Sequence, residues 1–130
     1  MIASIDHIVL TSKDVEKTIH FYCNLLGMKL EKYFNENDSK LRIFLKFGNQ
    51  KINIHQEKNP FSPHAKNPIP GSVDICFLSN RPIKEWIKIF NENQVKIEIG
   101  PVKRHGATSP INSIYLRDPD FNLIEISNKI

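Results

Sequence analysis

The chain has 130 residues, of which 40% are hydrophobic and 25% are charged, as is ordinary for one globular domain. Its 18 basic and 14 acidic residues give a formal net charge of +4, without the dense basic cluster of a nucleic-acid surface. Cys23 and Cys76 form no disulfide framework, and neither a signal peptide nor a membrane-spanning stretch is visible. We therefore expect a cytoplasmic protein that binds neither nucleic acid nor membrane.

The first half of the chain predicts one strand, one helix and three more strands. The β-branched run from Ile5 to Leu10 predicts the first strand, and Thr11, Ser12 and Asp14 offer helix caps. The helix has its apolar residues at helical spacing and ends at a glycine: Val15, Ile19, Tyr22, Leu26 and Gly27. The following strands are expected at 29–34, 41–47 and 51–55.

The second half repeats this order. A strand at 73–78 is followed by a helix that begins near Pro82, and further strands are expected at 94–99, 111–116 and 122–127. A connector at 57–71, rich in proline, separates module 1 (about 1–56) from module 2 (72–130). The sequence thus predicts a single α+β domain over 1–130. Its two tandem βαβββ modules would form a partly closed, barrel-like sheet with a central cleft.

Four polar residues lie within short apolar strands, where a polar side chain needs a reason to be present. His7 lies in IDHIVL and Asp74 in SVDICFL, an offset of 67 (74 minus 7). His55 lies in KINIHQ and Glu125 in NLIEIS, an offset of 70 (125 minus 55). The two offsets fit one duplication, and strand alternation directs all four side chains to one cleft.

Each of the four residues alone has an ordinary explanation. A strand histidine is more often hydrogen-bonded in a core than bound to metal, Asp74 could accept from backbone amides, and Glu125 could be exposed. Their joint occurrence at repeat-related positions favours a metal site instead. Imidazole and carboxylate together suit one divalent ion, either zinc, nickel, cobalt, iron or manganese, and an open coordination position is typical of a catalytic site.

The chain resembles the vicinal oxygen chelate superfamily, which includes glyoxalase I, bleomycin-resistance proteins, fosfomycin-resistance enzymes and extradiol dioxygenases. The motifs that carry the resemblance are IDHIVLTSKDVEKTIHFYCNLLGMKL, KFGNQKINIHQ, GSVDICF and YLRDPDFNLIEIS. They extend over essentially the whole chain. The chain looks particularly like glyoxalase-domain-containing proteins and related bacterial virulence-associated proteins within that superfamily.

This resemblance implies a pair of βαβββ modules with metal ligands on the first and fourth strands of each. On this chain the ligands would be His7, His55, Asp74 and Glu125. Dioxygenases and fosfomycin enzymes commonly carry histidine at the position of Asp74, so the aspartate disfavours both activities. Glyoxalase I usually has glutamate at the position of His55.

The activity that the resemblance favours is a metal-dependent lyase or isomerase acting on a small vicinal-oxygen substrate. The metal would stabilise an enediolate, and a carboxylate, first Glu125 and then Asp74, would move the proton. The alternative is a metal-free binding protein of the bleomycin-resistance type; a dioxygenase or thiol transferase ranks below both. Relatives of this kind commonly form homodimers, which we also expect here.

Three further residues are predicted to bind substrate. Asn53 shares a strand face with His55, and Arg104 with His105 belongs to KRHGATS, which reads as a mobile loop able to close on an anionic or thiol-conjugated substrate. The usual small residue of the DPDGN turn is Phe121 here, which predicts a strained turn or an aromatic side chain at the surface.

Overall fold

Two open four-stranded sheets, one in each half of the chain, form the framework of the computed structural model, which describes all 130 residues. The chain divides into two compact units, Met1–Pro70 and Gly71–Ile130. This architecture confirms the predicted α+β class and the two tandem βαβββ modules, with sheets that are not closed.

The first unit has the strand order β1-β4-β3-β2, with β1 parallel to β4 and the other pairs antiparallel. Its elements are β1 (His7–Ser12), α1 (Val15–Ile19) continued by a π-helical segment (His20–Leu25), β2 (Lys29–Asn35), β3 (Lys40–Phe47) and β4 (Gln50–Gln56). Alternating residues of the strands are buried with the aromatic residues of the helix, including Leu10, Tyr22, Leu45, Ile52 and Ile54.

The second unit repeats this topology in the order β5-β8-β7-β6, with β5 parallel to β8. Its elements are β5 (Asp74–Leu78), α2 (Ile83–Glu92), β6 (Ile97–His105), β7 (Pro110–Arg117) and β8 (Leu123–Lys129). α2 packs on β6, β7 and β8. Its Trp86 is stacked on Phe90 and donates from Nε1 to Ser79 Oγ at 2.8 Å. Asn128 accepts from the backbone N–H of Ile83 at 2.8 Å and so caps the helix from β8.

Of the three residues predicted to cap the first helix, only Asp14 does so. β1 continues through Thr11 and Ser12, so these two residues belong to the strand. Asp14 is the cap, and its side chain accepts from the backbone N–H of Lys17 at 3.2 Å. Gly27 follows the helix with φ +81°, which confirms the predicted stop.

The prediction that Arg104 and His105 lie in a mobile loop is wrong, because both belong to β6. The Gly100–Pro101 pair suggests a loop in the sequence, but the structure absorbs it as an irregularity inside the strand. Gly100 has φ +109°, and a Cβ atom at this position would overlap the Ser113 carbonyl oxygen of β7. The loop that remains is 106–109.

The DPDFN turn holds Phe121 at φ 65° with 74% of its surface exposed, so both expectations for this residue are confirmed. The turn is fixed by Asp118, whose Oδ1 accepts from the backbone N–H groups of Asp120 and Asn122. No helix of the chain is both long and apolar enough to cross a membrane.

Candidate active site

A cavity of about 530 Å³ lies on the second unit, on the sheet face that carries Glu125. The volume falls in the range of small-molecule sites, about 300–1,000 Å³. Glu125 is its only carboxylate, and three basic residues also line it. The full lining is Cys76, Leu78, Arg104, His105, Gly106, Ala107, Thr108, Ser109, Ile111, Tyr115, Glu125 and Lys129.

The register of the sheet explains why these residues meet. Cys76 of β5 and Tyr115 of β7 are both paired with Glu125 of β8, so the three side chains occupy one face across three adjacent strands. Asp74 is exposed on the same face, but it is paired with Leu123, two residues from Glu125. Asp74 is not among the cavity-lining residues.

The Glu125 carboxylate is held by two hydroxyl groups. Ser113 donates to Glu125 Oε2 at 2.7 Å, and Ser127 donates to the same oxygen at 3.3 Å. The two serine oxygens are themselves 2.7 Å apart. Both serine hydrogen bonds end on Oε2, so neither serine occupies Oε1.

Cys76 extends this hydrogen-bonded group, because its sulfur lies 3.3 Å from Ser127 Oγ. Desolvation raises the pKa of the Cys76 thiol, and the Ser127 hydrogen bond acts in the opposite direction. The negative charge of Glu125 and a hydrogen bond between Cys76 and Glu125 raise this pKa further. The thiol form is thereby favoured over the thiolate, which is the nucleophilic form.

Arg104 lies at the wall of the cavity with its guanidinium oriented by neighbouring groups. Its Nε donates to the Tyr115 hydroxyl at 3.1 Å, and one terminal nitrogen donates to the Lys103 carbonyl at 3.2 Å. His105 and Lys129 are the other basic residues of the same lining. The wall therefore offers positive charge above apolar surface, which suits a small anionic molecule.

In the first unit, His7 is exposed on β1 and oriented by a carboxylate. Its Nδ1 donates to Asp6 Oδ2 at 2.8 Å, and this hydrogen bond lowers the pKa of Asp6. A histidine that binds metal through one ring nitrogen commonly donates its other N–H to a carboxylate in this way. The arrangement leaves Nε2 of His7 free for a ligand.

His55 is buried at the end of β4 beneath the aromatic ring of Phe61, which comes from the connector. The two rings are 5.4 Å apart in an edge-to-face arrangement, and the Arg42 guanidinium lies 3.4 Å from the centre of the Phe61 ring. Desolvation, and then the positive charge of Arg42, lower the pKa of His55 and favour the neutral imidazole. Its buried Nδ1 has no hydrogen-bond partner.

The strand registers correct the repeat alignment of the fourth strands. His7 is paired with Lys51, and its counterpart Asp74 is paired with Leu123. Asn53 lies two residues after Lys51, and Glu125 lies two residues after Leu123. Asn53, rather than His55, is therefore the counterpart of Glu125. The burial along the two strands agrees, since Asn53 and Glu125 are both half-buried. The counterpart of His55 is then Ser127, and both are buried.

Each unit carries donor groups of the kind that divalent metals bind. His7 has an oriented imidazole, Glu125 a carboxylate oxygen that neither serine holds, and His55 an unpartnered nitrogen in a neutral ring. Nowhere in the chain do three histidine, cysteine, aspartate or glutamate side chains form a group that could hold a metal ion. The ligand set therefore stays a prediction.

Paired βαβββ modules, with a carboxylate on the open face of the last strand, define a vicinal oxygen chelate protein. The chain belongs to the glyoxalase/bleomycin resistance protein/dioxygenase superfamily, whose family model matches residues 4–126. It is 46% identical over 130 residues to virulence protein STM3117 of Salmonella typhimurium, and the alignment covers 100% of this chain and 87% of that protein. An integron cassette protein of V. cholerae superposes with a TM-score of 0.91 at 44% identity, covering 98% of this chain and 96% of that one.

The superfamily includes enzymes, and one of them is a relative of this chain. The metallothiol transferase FosB of Staphylococcus epidermidis is 31% identical over 127 residues, covering 96% of this chain and 81% of that protein.

Four residues that shape these sites are not predicted from the sequence: Ser113, Ser127, Tyr115 and Phe61. Strand alternation from Glu125 was sufficient to find Ser127, because residues two apart share a face. Ser113 and Tyr115 required the register of β7 against β8. Phe61 required the path of the connector, which no periodic pattern encodes.

Proposed function

We propose that this chain is a metal-dependent lyase or isomerase that acts on a small vicinal-oxygen substrate by proton transfer. One observation carries the proposal: Glu125 lines a cavity of about 530 Å³, with Oε2 held by two serine hydroxyls and Oε1 held by neither of them. A carboxylate in that condition can take a proton from a bound carbon acid and return it to the neighbouring carbon.

The metal would be one divalent ion, either zinc, nickel, cobalt, iron or manganese, with His7, Asp74 and Glu125 among its ligands. When bound, such an ion polarises vicinal oxygens and stabilises the negative charge that forms on them. His55 stays the predicted fourth ligand, although its register position is four residues beyond the partner of His7, about 13 Å along the strand. Whether His55 is a ligand is decided by comparing the metal affinity of His55→Ala with that of the wild type.

The substrate would be anionic or conjugated to a thiol. Arg104, held by Tyr115, would bind a carboxylate or similar group, and His105 would supply a second hydrogen-bond donor. Asn53 lies half-buried on β4 of the first unit and stays a predicted substrate-binding residue.

The decisive experiment measures proton transfer and metal content together. Metal content of the purified protein is determined first. Exchange of the α-proton of small α-hydroxycarbonyl compounds, free or as thiol conjugates, is then followed by NMR in D₂O. Glu125→Gln should lower the exchange rate by about 10²–10⁴-fold, because the amide cannot accept the proton. Glu98→Gln, a surface control, should exchange at the wild-type rate.

Exchange by Glu125→Gln at the wild-type rate would refute the proposal. A protein that binds no stoichiometric metal, but binds the same compounds unchanged, would instead be the metal-free binding protein of the alternative hypothesis.

The similarity to FosB supports thiol transfer as a second candidate function. It predicts that the metal-loaded protein consumes a free thiol when an electrophilic acceptor is present, which a thiol assay measures. The aspartate at position 74 favours proton transfer over this alternative.

We also propose that the protein forms a homodimer. Apolar side chains remain exposed on the strands of the single chain, including Val9, Tyr33, Phe34, Leu41 and Leu78. Exposed apolar groups of this kind mark protein interfaces when they are contiguous. Sedimentation equilibrium should give twice the mass of the chain, and a monomer at all concentrations would contradict this expectation.

A further inference from the structure

We propose that Ser113 and Ser127 are positioning residues that fix Oε2 of Glu125, so that Oε1 alone is presented to a metal ion or to a substrate. This inference rests on the proposed function of Glu125 as a ligand and a base. It adds that the serine pair, located on two adjacent strands, sets the orientation of that carboxylate.

The two serines are fully buried, with no exposed surface on either side chain. They are paired with each other in the antiparallel register of β7 and β8. The pair Tyr115 and Glu125 lies two residues further along the two strands. The hydroxyl groups are thus anchored in strand backbone rather than in a loop. Such anchoring restricts the positions from which they can donate to the carboxylate.

The hydroxyl protons decide which serine donates to the carboxylate. Ser113, Ser127 and Glu125 Oε2 form a triangle of contacts, of 2.7, 2.7 and 3.3 Å, and each hydroxyl carries one proton. Ser113 at 2.7 Å is the closer donor to the carboxylate. Ser127 can donate to the carboxylate, to Ser113 or to Cys76 Sγ, which lies 3.3 Å from its oxygen.

The consequence is one-sided presentation of the carboxylate. With Oε2 held by hydroxyls, a metal ion would meet Oε1, and binding through both oxygens would require the serine hydrogen bonds to be given up. Charge-assisted hydrogen bonds of this length are among the strong ones, so single-oxygen binding is favoured.

A purely structural role for the serines makes a different prediction. If the hydroxyls only satisfied each other in the interior, their removal would lower stability and leave the carboxylate unaffected. Ser12 and Thr18 of the first unit provide the matched comparison, since they are equally buried and their oxygens are 2.6 Å apart with no carboxylate in the contact.

The test compares Ser113→Ala, Ser127→Ala and Ser113→Thr with Ser12→Ala as the control. Calorimetric titration with Ni²⁺ alone should show about 10–100-fold weaker binding for the two serine-to-alanine variants, as for other groups that orient metal ligands. Ser113→Thr keeps the hydroxyl and should restore binding. Ser12→Ala should bind as the wild type does, despite a similar loss of stability.

A second readout needs no metal. Crystal structures of the metal-free wild type and of Ser113→Ala should show one Glu125 rotamer in the former and several in the latter. Wild-type Ni²⁺ affinity in both alanine variants, or an unchanged single rotamer, would overturn the positioning role. Failure of the wild type to bind Ni²⁺ would overturn the proposed function, whereas the rotamer comparison would still decide whether the serines position Glu125.

Discussion

Two of the predicted ligands, His7 and Glu125, are each held at one atom by a neighbouring polar group. Asp6 holds Nδ1 of His7, and the serine pair holds Oε2 of Glu125. In both cases the group that holds the side chain contacts one atom, so the other atom, Nε2 or Oε1, is the one that would bind a metal ion. The orientation is thus present before any ligand arrives, and binding need not first order these side chains.

The Asp6–His7 hydrogen bond gives the first prediction at this scale. Asp6→Asn keeps the shape but removes the charge that orients and polarises the imidazole, so Ni²⁺ affinity should fall by about tenfold. Titration calorimetry measures the change. Glu98→Gln, which removes a carboxylate from an exposed ion pair with Arg117, should leave the affinity unchanged. Equal affinity in Asp6→Asn and the wild type would show that Asp6 does not orient a ligand.

Phe121 gives a second prediction, on stability. Its left-handed backbone costs about 1–2 kcal/mol relative to glycine, while its side chain is largely exposed and contributes little packing. Phe121→Gly should therefore raise the free energy of unfolding by about 0.5–1 kcal/mol, after allowing for the greater freedom of glycine in the unfolded chain. Urea denaturation measures this change. Phe121→Ala removes the same ring without relieving the backbone, so an equal gain in that variant would contradict the explanation.

At the scale of elements, the strands and helices were largely predictable, whereas their irregularities were not. Periodic apolar residues predicted both helices and seven of the eight strands to within a few residues. The exception is β6, which extends to His105 instead of ending at residue 99. Its Gly100–Pro101 pair has the local chemistry of a turn, but pairing with β7 keeps the chain extended on both sides. The π-helical segment His20–Leu25 was likewise not predicted, because the apolar spacing of this helix is that of an ordinary α-helix.

The irregularity in β6 leads to a prediction about Gly100. Alanine there would adopt an unfavourable φ and also press its Cβ against the Ser113 carbonyl, so Gly100→Ala should lower the free energy of unfolding by about 3 kcal/mol. Gly48→Ala is the matched control, because Gly48 has φ +50° and open space around it. That variant should lose only about 1 kcal/mol. Equal losses in thermal denaturation would mean that the contact with Ser113 is unimportant.

At the scale of the whole molecule, the duplication was predictable but its exact alignment was not. The sequence offsets paired His55 with Glu125, since both are ionisable residues in similar apolar strands. The strand registers instead pair Asn53 with Glu125, because hydrogen bonding between β1 and β4 fixes which residues are opposite. Glu125 was predicted from sequence alone, but one of the two serines that hold it, Ser113, comes from the neighbouring strand β7 and required the strand register.

Metal binding should also be visible in the stability of the whole protein. A ligand that binds only the folded state adds about 2.7 kcal/mol at a concentration 100 times its Kd, which corresponds to a rise in Tm of about 10 °C for a chain of this size. Differential scanning calorimetry with Ni²⁺, and again after excess EDTA, measures the rise and its reversal. Identical Tm values in both conditions would contradict metal binding by the folded protein.

The single tryptophan of the chain belongs to α2 of the second unit, where it is buried against Phe90. Its emission therefore responds to the loss of packing in residues 71–130. Two of the three tyrosines, Tyr22 and Tyr33, lie in the other unit, whereas Tyr115 lies in the same unit as the tryptophan. In a Tyr115→Phe variant, tyrosine would therefore be confined to one half and tryptophan to the other. Comparing the two unfolding curves of that variant would measure how strongly the two halves of the duplication depend on each other.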